Sequence, residues 1–203
     1  MTPRWVGTLE YGAALRMQEQ ARFNARNGGE ALLLGLEHPP VITLGKRGGE
    51  VVGTAASVGY AVWNTRRGGL ATCHEPGQLV GYLVMDARAL GVRRLVETVE
   101  GCLIEWLSAL SLPAVRREGY PGVWAENESG WSKVAAVGMQ VRNGWTNHGF
   151  ALNLRNSLRG FDLISPCGIA DATVTSLQQF VGASPTPRQA FDQLAPALCS
   201  ALC

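Results

Sequence analysis

Few side chains in this sequence are of a type that does covalent chemistry. The 203 residues include five cysteines, at 73, 102, 167, 199 and 203, and three histidines, at 38, 74 and 148. In "FDLISPCGIADATVTSL", Cys167 lies between Pro166 and Gly168, a small and rigid surrounding that leaves a side chain accessible. The commoner fate of a free cysteine is to be packed away, and Cys102, on an apolar helix face, is expected to have it. A thiol of pKa ~8.5 is only slightly ionised at neutral pH, so a nucleophilic cysteine needs a cation or base beside it. Lys133 is a candidate, because the rest of its strand-like run "SKVAAVGMQV" is uncharged and partial desolvation there would lower its pKa. A surface lysine at a strand start is the plainer reading, and His74 and His148 are rival bases by residue type.

The second concentration of useful residue types is "RRGGLATCHEPGQLVGY", residues 66–82. No lysine followed by Ser or Thr comes after its glycines, and it runs into a strand rather than opening a helix, which excludes a P-loop and a dinucleotide fingerprint. Cys73, His74 and Glu75 are consecutive, so in an extended segment they alternate faces and cannot converge on one metal ion. Gly68, Gly69 and Gly77 allow close backbone approach to a ligand, and Pro76 stiffens the exit. A binding floor and a tight structural turn fit that composition equally.

These residues must be positioned by one domain spanning 1–203, since no break in composition divides the chain into halves that could each bury a core. With 46% hydrophobic and 17% charged residues the chain reads as globular and soluble rather than disordered. A net charge of +2 argues against nucleic acid, although basic pairs recur at 46–47, 66–67, 93–94 and 116–117 as solvated surface or as the footprint of an acidic partner. Without a leader-like h-region or a membrane-length apolar run, the expected compartment is the cytoplasm, where the cysteines stay reduced.

Periodicity predicts a helix over 11–26, a second carrying Leu95, Val99, Cys102, Trp106 and Leu110, and a third opening at Thr186-Pro187-Arg188-Gln189. Pro196 should kink or interrupt the last. Strands are expected at "ALLLGLE", "VITLG", "YAVWNT" and "LVGYLVMD", followed by a meander of "GVWAEN", "KVAAVGMQV" and "WTNHGFALNL" with an Asn143-Gly144 hairpin. The sum is an α+β (mixed α/β) fold, a largely antiparallel sheet covered by helices on one side.

Three segments, "RRGGLATCHEPGQLVGY", "KVAAVGMQVRNGWTNHGFALNL" and "PCGI" followed by "VTSL", together with "HPPVITLGKRG" and "GVW" at 122–124, resemble the lipoyl(octanoyl) transferase family over roughly residues 30–180. The resemblance implies a biotin/lipoate ligase-like domain with a mostly antiparallel central sheet flanked by helices. It implies transfer of an octanoyl group from octanoyl-acyl carrier protein to a lysine on lipoyl domains of 2-oxoacid dehydrogenases and glycine-cleavage protein. Carried over by position, Cys167 is the acyl-thioester nucleophile and Lys133 the group that lowers its pKa. Arg67, Gly68, Gly69, Leu70, Ala71, Thr72, Cys73 and His74 line the substrate site, Ala136, Val137 and Gly138 form a second wall, and Gly149, Phe150 and Ala151 a third. His148 is a possible supporting residue. No cofactor, metal, nucleic acid or membrane is implied, and a monomer is expected.

The sequence departs from the family where an aromatic more often precedes the histidine and a glycine follows it; here Cys73 and Glu75 stand. Rival functions are an ATP-dependent lipoate or biotin ligase, an amidotransferase moving lipoyl groups between proteins, and a non-catalytic protein that binds acyl carriers or lipoyl domains.

Overall fold

The structure is a computed structural model, which describes residues 1–51, 55–127, 130–164 and 172–203. Its main sheet runs in the order β1 (Thr2–Thr8), β2 (Leu32–Glu37), β6 (Gln78–Val84), β10 (Trp145–Asn153), β9 (Gly130–Arg142), β8 (Tyr120–Asn127) and β7 (Ala114–Arg117), with β11 (Ala172–Val174) docked on β9. Two pairings, β1 with β2 and β11 with β9, are parallel and the others antiparallel. A second sheet has β3 (Val41–Leu44) between β4 (Ala61–Asn64) and β5 (Ala71–His74).

The helices cover both faces, not one. The alternation of a strand sends Leu33, Leu79, Leu83 and Phe150 to one side, where α2 (Val92–Ala109) and α4 (Pro187–Ala201) pack with Leu95, Val99, Leu103, Leu194 and Leu198. Leu34, Leu36, Val80, Tyr82 and Ala151 point to the other side, against Ala14 of α1 (Tyr11–Arg26). Sequence periodicity locates an amphipathic helix but does not say which sheet face it covers. Every residue of β6 is buried, as a central strand between two layers requires. Packing is close enough that a Cβ on Gly35 would lie 2.2 Å from the ring of Phe191.

The predicted hairpin turn is present: Asn143 and Gly144 have φ of 52° and 82°, the left-handed pair of a type I′ turn, which suits the twist of β9 and β10. The capping box also forms. Thr186 Oγ1 accepts from the Gln189 amide at 3.3 Å, and the Thr186 amide donates to Gln189 Oε1 at 3.0 Å. The expected interruption at Pro196 does not occur; α4 continues through it. Pro196 is exposed, so the Asp192 carbonyl that it leaves without an amide faces water rather than apolar packing.

Among the described residues, five strands and α-helices were not foreseen. β1 lacks apolar alternation, β7 has only four residues, and β11 lies in a stretch of little periodicity. β5 arises inside the glycine-rich segment, which is therefore a turn, a short strand and a second turn rather than one loop. The short helix α3 (Leu177–Val181) begins at Ser176, whose side chain accepts from the Gln179 amide.

Candidate active site

A cavity of about 410 Å³ lies where β5 and the turn before it meet β9 and β10. Arg67, Gly68, Gly69, Leu70, Ala71, Thr72 and His74 line one wall, Ala136, Val137 and Gly138 a second, and Gly149, Phe150 and Ala151 a third. Lys133 and His148 line it as well. Register brings these segments together: Gly138 pairs with Gly149, Val137 with Phe150 and Ala136 with Ala151, and the Gly68 amide donates to the Met139 carbonyl at 2.9 Å.

Cys73 does not line the cavity. It alternates with Thr72 and His74 on β5 and packs into a separate cluster with Ile42, Leu158, Phe161 and Ile164. Burial and the neighbouring Glu75 push its thiol well above the ordinary range, so it is held as the unreactive thiol. Cys102 is buried against α2's neighbours, as expected of its face. Cys167 lies outside the described residues. Its described flanks are Ile164, bridged to Val51, and β11, in which Val174 pairs with Lys133.

Lys133 stands near the start of β9, where β8 lies on one side and β11 on the other. Its Nζ donates to the Pro121 carbonyl at 3.2 Å and sits 4.5 Å from the centre of the Trp124 ring, two features that attract a positive charge. That seat is held from behind. Trp124 Nε1 donates to the Tyr120 carbonyl at 2.9 Å, and the Gly122 amide donates to Glu100 Oε1 of α2 at 2.7 Å. Burial raises the Glu100 carboxyl, opposed by that amide and by Arg116.

The opposite end of the cavity is polar. Arg67 is buried, with Nε donating to Thr43 Oγ1 at 3.1 Å, Nη2 to the Thr43 carbonyl at 2.5 Å and Nη1 to the Gly68 carbonyl at 2.9 Å. His74 and His148 lie near it, and His38 packs against His74. His38 Nδ1 faces the Leu9 carbonyl at 2.6 Å and must be its donor, which leaves Nε2 to accept from Tyr82 Oη at 2.7 Å. His74 Nδ1 donates to Gln78 Oε1 at 2.8 Å; Gln78 Nε2 donates to Asn153 Oδ1 at 2.8 Å, and Asn153 Nδ2 to the Thr175 carbonyl at 3.1 Å. Because the Thr175 amide donates to the Lys133 carbonyl at 3.0 Å, this buried chain runs from the histidines to the strand bearing Lys133.

Burial keeps these imidazoles neutral. It lowers His38 to about 4; burial and then the Arg67 charge lower His148 to about 4; burial first, with His38 and Arg67 adding, takes His74 well below its ordinary value. Burial raises Tyr11, which faces His38 and His74, to about 12. His148 is backbone-strained, with φ of 63° inside β10, and its amide leaves the ladder to donate to Gln18 Oε1 of α1 at 2.7 Å. Sequence reading missed Tyr11, Gln78, Tyr82 and Asn153, since each sits on an element face with nothing local to separate a cavity position from a core position. Among the described residues, no cluster of three His, Cys, Asp or Glu side chains is placed to hold a metal ion.

A cavity walled by glycines, alanines, valines and a phenylalanine, with one ammonium at its edge, suits an apolar acyl chain joined to a polar reacting group. The fold is that of lipoate and biotin ligases. A bipartite lipoate protein ligase from Thermoplasma acidophilum superposes with a TM-score of 0.69 at 17% identity, covering 99% of this chain and 82% of that one. A biotin protein ligase from Aquifex aeolicus, solved with biotin and ATP, gives 0.63 at 14% identity, covering 99% and 70%. Within that class the sequence is more specific. The chain belongs to the lipoyl protein ligase A/B catalytic domain family, which it matches over residues 10–199. It is 41% identical to an octanoyltransferase of Mycolicibacterium smegmatis, covering 98% of this chain and 88% of that one. It is 39% identical to one of Chloroflexus aggregans, covering 98% and 94%.

Proposed function

We propose that this chain transfers an octanoyl group from octanoyl-acyl carrier protein to a lysine of lipoyl domains, through a thioester on Cys167. The observation that carries the reading is the meeting of three small-residue walls in one cavity with Lys133 at its edge, in a chain 41% identical to an octanoyltransferase. The Cys167 thiolate attacks the carrier thioester carbonyl; the new S–C bond forms, the carrier's C–S bond breaks, and the carrier thiolate takes a proton from Lys133. The acceptor lysine amine then attacks the acyl-enzyme carbonyl. An amide forms, Cys167 leaves as thiolate, and Lys133 takes the amine proton, returning the site to its starting state. The thioester is already activated, so neither step consumes ATP.

The carbonyl of Pro121 and the ring of Trp124 support holding Lys133 as an ammonium, the form that stabilises a thiolate and can protonate the leaving carrier. Donor docking is assigned to the basic surface at Lys46, Arg47 and Arg66, of which Arg47 lines the cavity, and the carrier is the acidic partner. The protein acts in the cytoplasm.

Protein mixed with octanoyl carrier protein, without ATP, should gain one octanoyl mass that neutral hydroxylamine removes. An adduct that persists in Cys167→Ala, or acylation that requires ATP, rejects this chemistry in favour of another nucleophile or a ligase.

A further inference from the structure

Glu75 is 2% exposed, and its carboxylate is fully engaged. Oε1 accepts from Tyr60 Oη at 2.6 Å and from the Gly160 amide at 2.7 Å; Oε2 accepts from the Leu158 amide at 2.8 Å and from Ser157 Oγ at 3.1 Å. Four donors on two oxygens, two of them backbone amides, tie the turn after β5 to residues 157–160, more than 80 positions away in sequence. What they hold is not a relaxed segment. Leu158 is buried with φ of 64°, a left-handed conformation that a leucine does not adopt cheaply. Gly160 passes so close to β5 that a Cβ there would lie 2.1 Å from Cys73 Sγ. The segment continues as a single-turn helix, Arg159–Leu163, which puts Phe161 against the cavity, and it ends at Ile164, bridged to Val51.

We propose that Glu75 is a positioning residue for acyl transfer. By holding Ser157, Leu158 and Gly160, it fixes Phe161 at the cavity and the point from which the chain leaves Ile164 toward Cys167, three residues on. Glu75 does not line the cavity, and the reacting atoms belong to the chain beyond Ile164. It sets where the segment carrying them begins. The proposal rests on the reading of Cys167 as nucleophile, and its test separates the two.

In Glu75→Gln one carboxylate oxygen becomes an NH2 group facing donors, so two of the four hydrogen bonds are lost without loss of volume. The expected outcome is a fall of about tenfold in single-turnover acylation at saturating octanoyl carrier protein, with KM within about twofold of wild type. Alkylation of Cys167 by iodoacetamide should stay within about twofold, because a small diffusing reagent does not need the thiol aligned to a bound thioester. Amide exchange at Leu158 or Gly160 should speed up by about tenfold or more. Tyr60→Phe removes one donor and should give a smaller loss in the same direction, which serves if the glutamine variant does not fold. Unchanged exchange at both amides, or unchanged acylation in a folded variant, overturns the proposal, as does an equal loss of alkylation and acylation. If the wild-type protein never acylates at Cys167, the transferase reading fails instead, and the exchange result still decides whether Glu75 holds the segment.

Discussion

At the scale of single residues, the resting site sets a cation at one end of the cavity and neutral imidazoles at the other. Lys133 is seated against a carbonyl and an indole face, while the three histidines are buried and kept neutral, two of them beside Arg67. On the proposed chemistry, Lys133→Met keeps the stem and the fold but lowers single-turnover acylation by about 10²–10⁴-fold at neutral pH. The deficit should shrink as pH rises toward the thiol's own value of ~8.5, because hydroxide then supplies the thiolate that the lysine otherwise favours. A deficit constant across that range would assign Lys133 to substrate binding. Behind Lys133, Glu100→Ala should destabilise the protein by ~1–3 kcal/mol, since the buried Gly122 amide loses its acceptor. A urea titration measures it, and Glu100→Gln should recover most of the loss because it keeps the acceptor.

Secondary-structure elements differ in how far their own residues specify them. The α4 start is local: Thr186→Ala removes the side chain that accepts from Gln189 and should cost ~1 kcal/mol, seen as a lower melting temperature. The β9–β10 hairpin is local too, because only residues tolerant of positive φ fit its turn, and Asn143-Gly144 announces it. For that reason two of the three cavity walls were legible, and their register followed from the turn. β11 and β5 are not local. Their strands have three and four residues, and their pairing with β9 and β3 depends on distant partners that no nearby pattern records. Cys73 shows the same limit: resemblance assigned it to the site with its neighbours, but strand alternation turns it away while Thr72 and His74 face in. Glu75, an oddity in sequence, is explained only by amide donors more than 80 residues along the chain.

The whole molecule couples its stability to the site through those buried imidazoles. A histidine lowered from 6.5 to about 4 stays neutral when folded while its unfolded counterpart takes a proton. Stability contributed this way is complete above pH ~6.5 and is lost as pH falls toward 4, by up to ~3 kcal/mol for each such group. Chemical denaturation at intervals across that window should show the decline. The slope should be shallower in His148→Gln, whose side chain faces Tyr82 and Arg67 but takes up no proton in the unfolded chain. An unchanged slope would assign the decline to carboxylates.

One consequence of the topology concerns how such a molecule could diversify. Along one side of β9, the pairing with β10 ends at Leu152 opposite Ala135, and β11 takes up the same side at Lys133, so two separate stretches of chain are laid end to end on a single strand. The chain that joins them leaves after Asn153 and returns at Ala172, between two strands that both belong to the sheet supporting the acyl cavity. An insert between those two stretches could change in length or in residue type without altering the β9–β10 pairing that forms two walls of the cavity. The seam on β9 acts as a graft junction, one place where a shared pocket can be joined to different reactions.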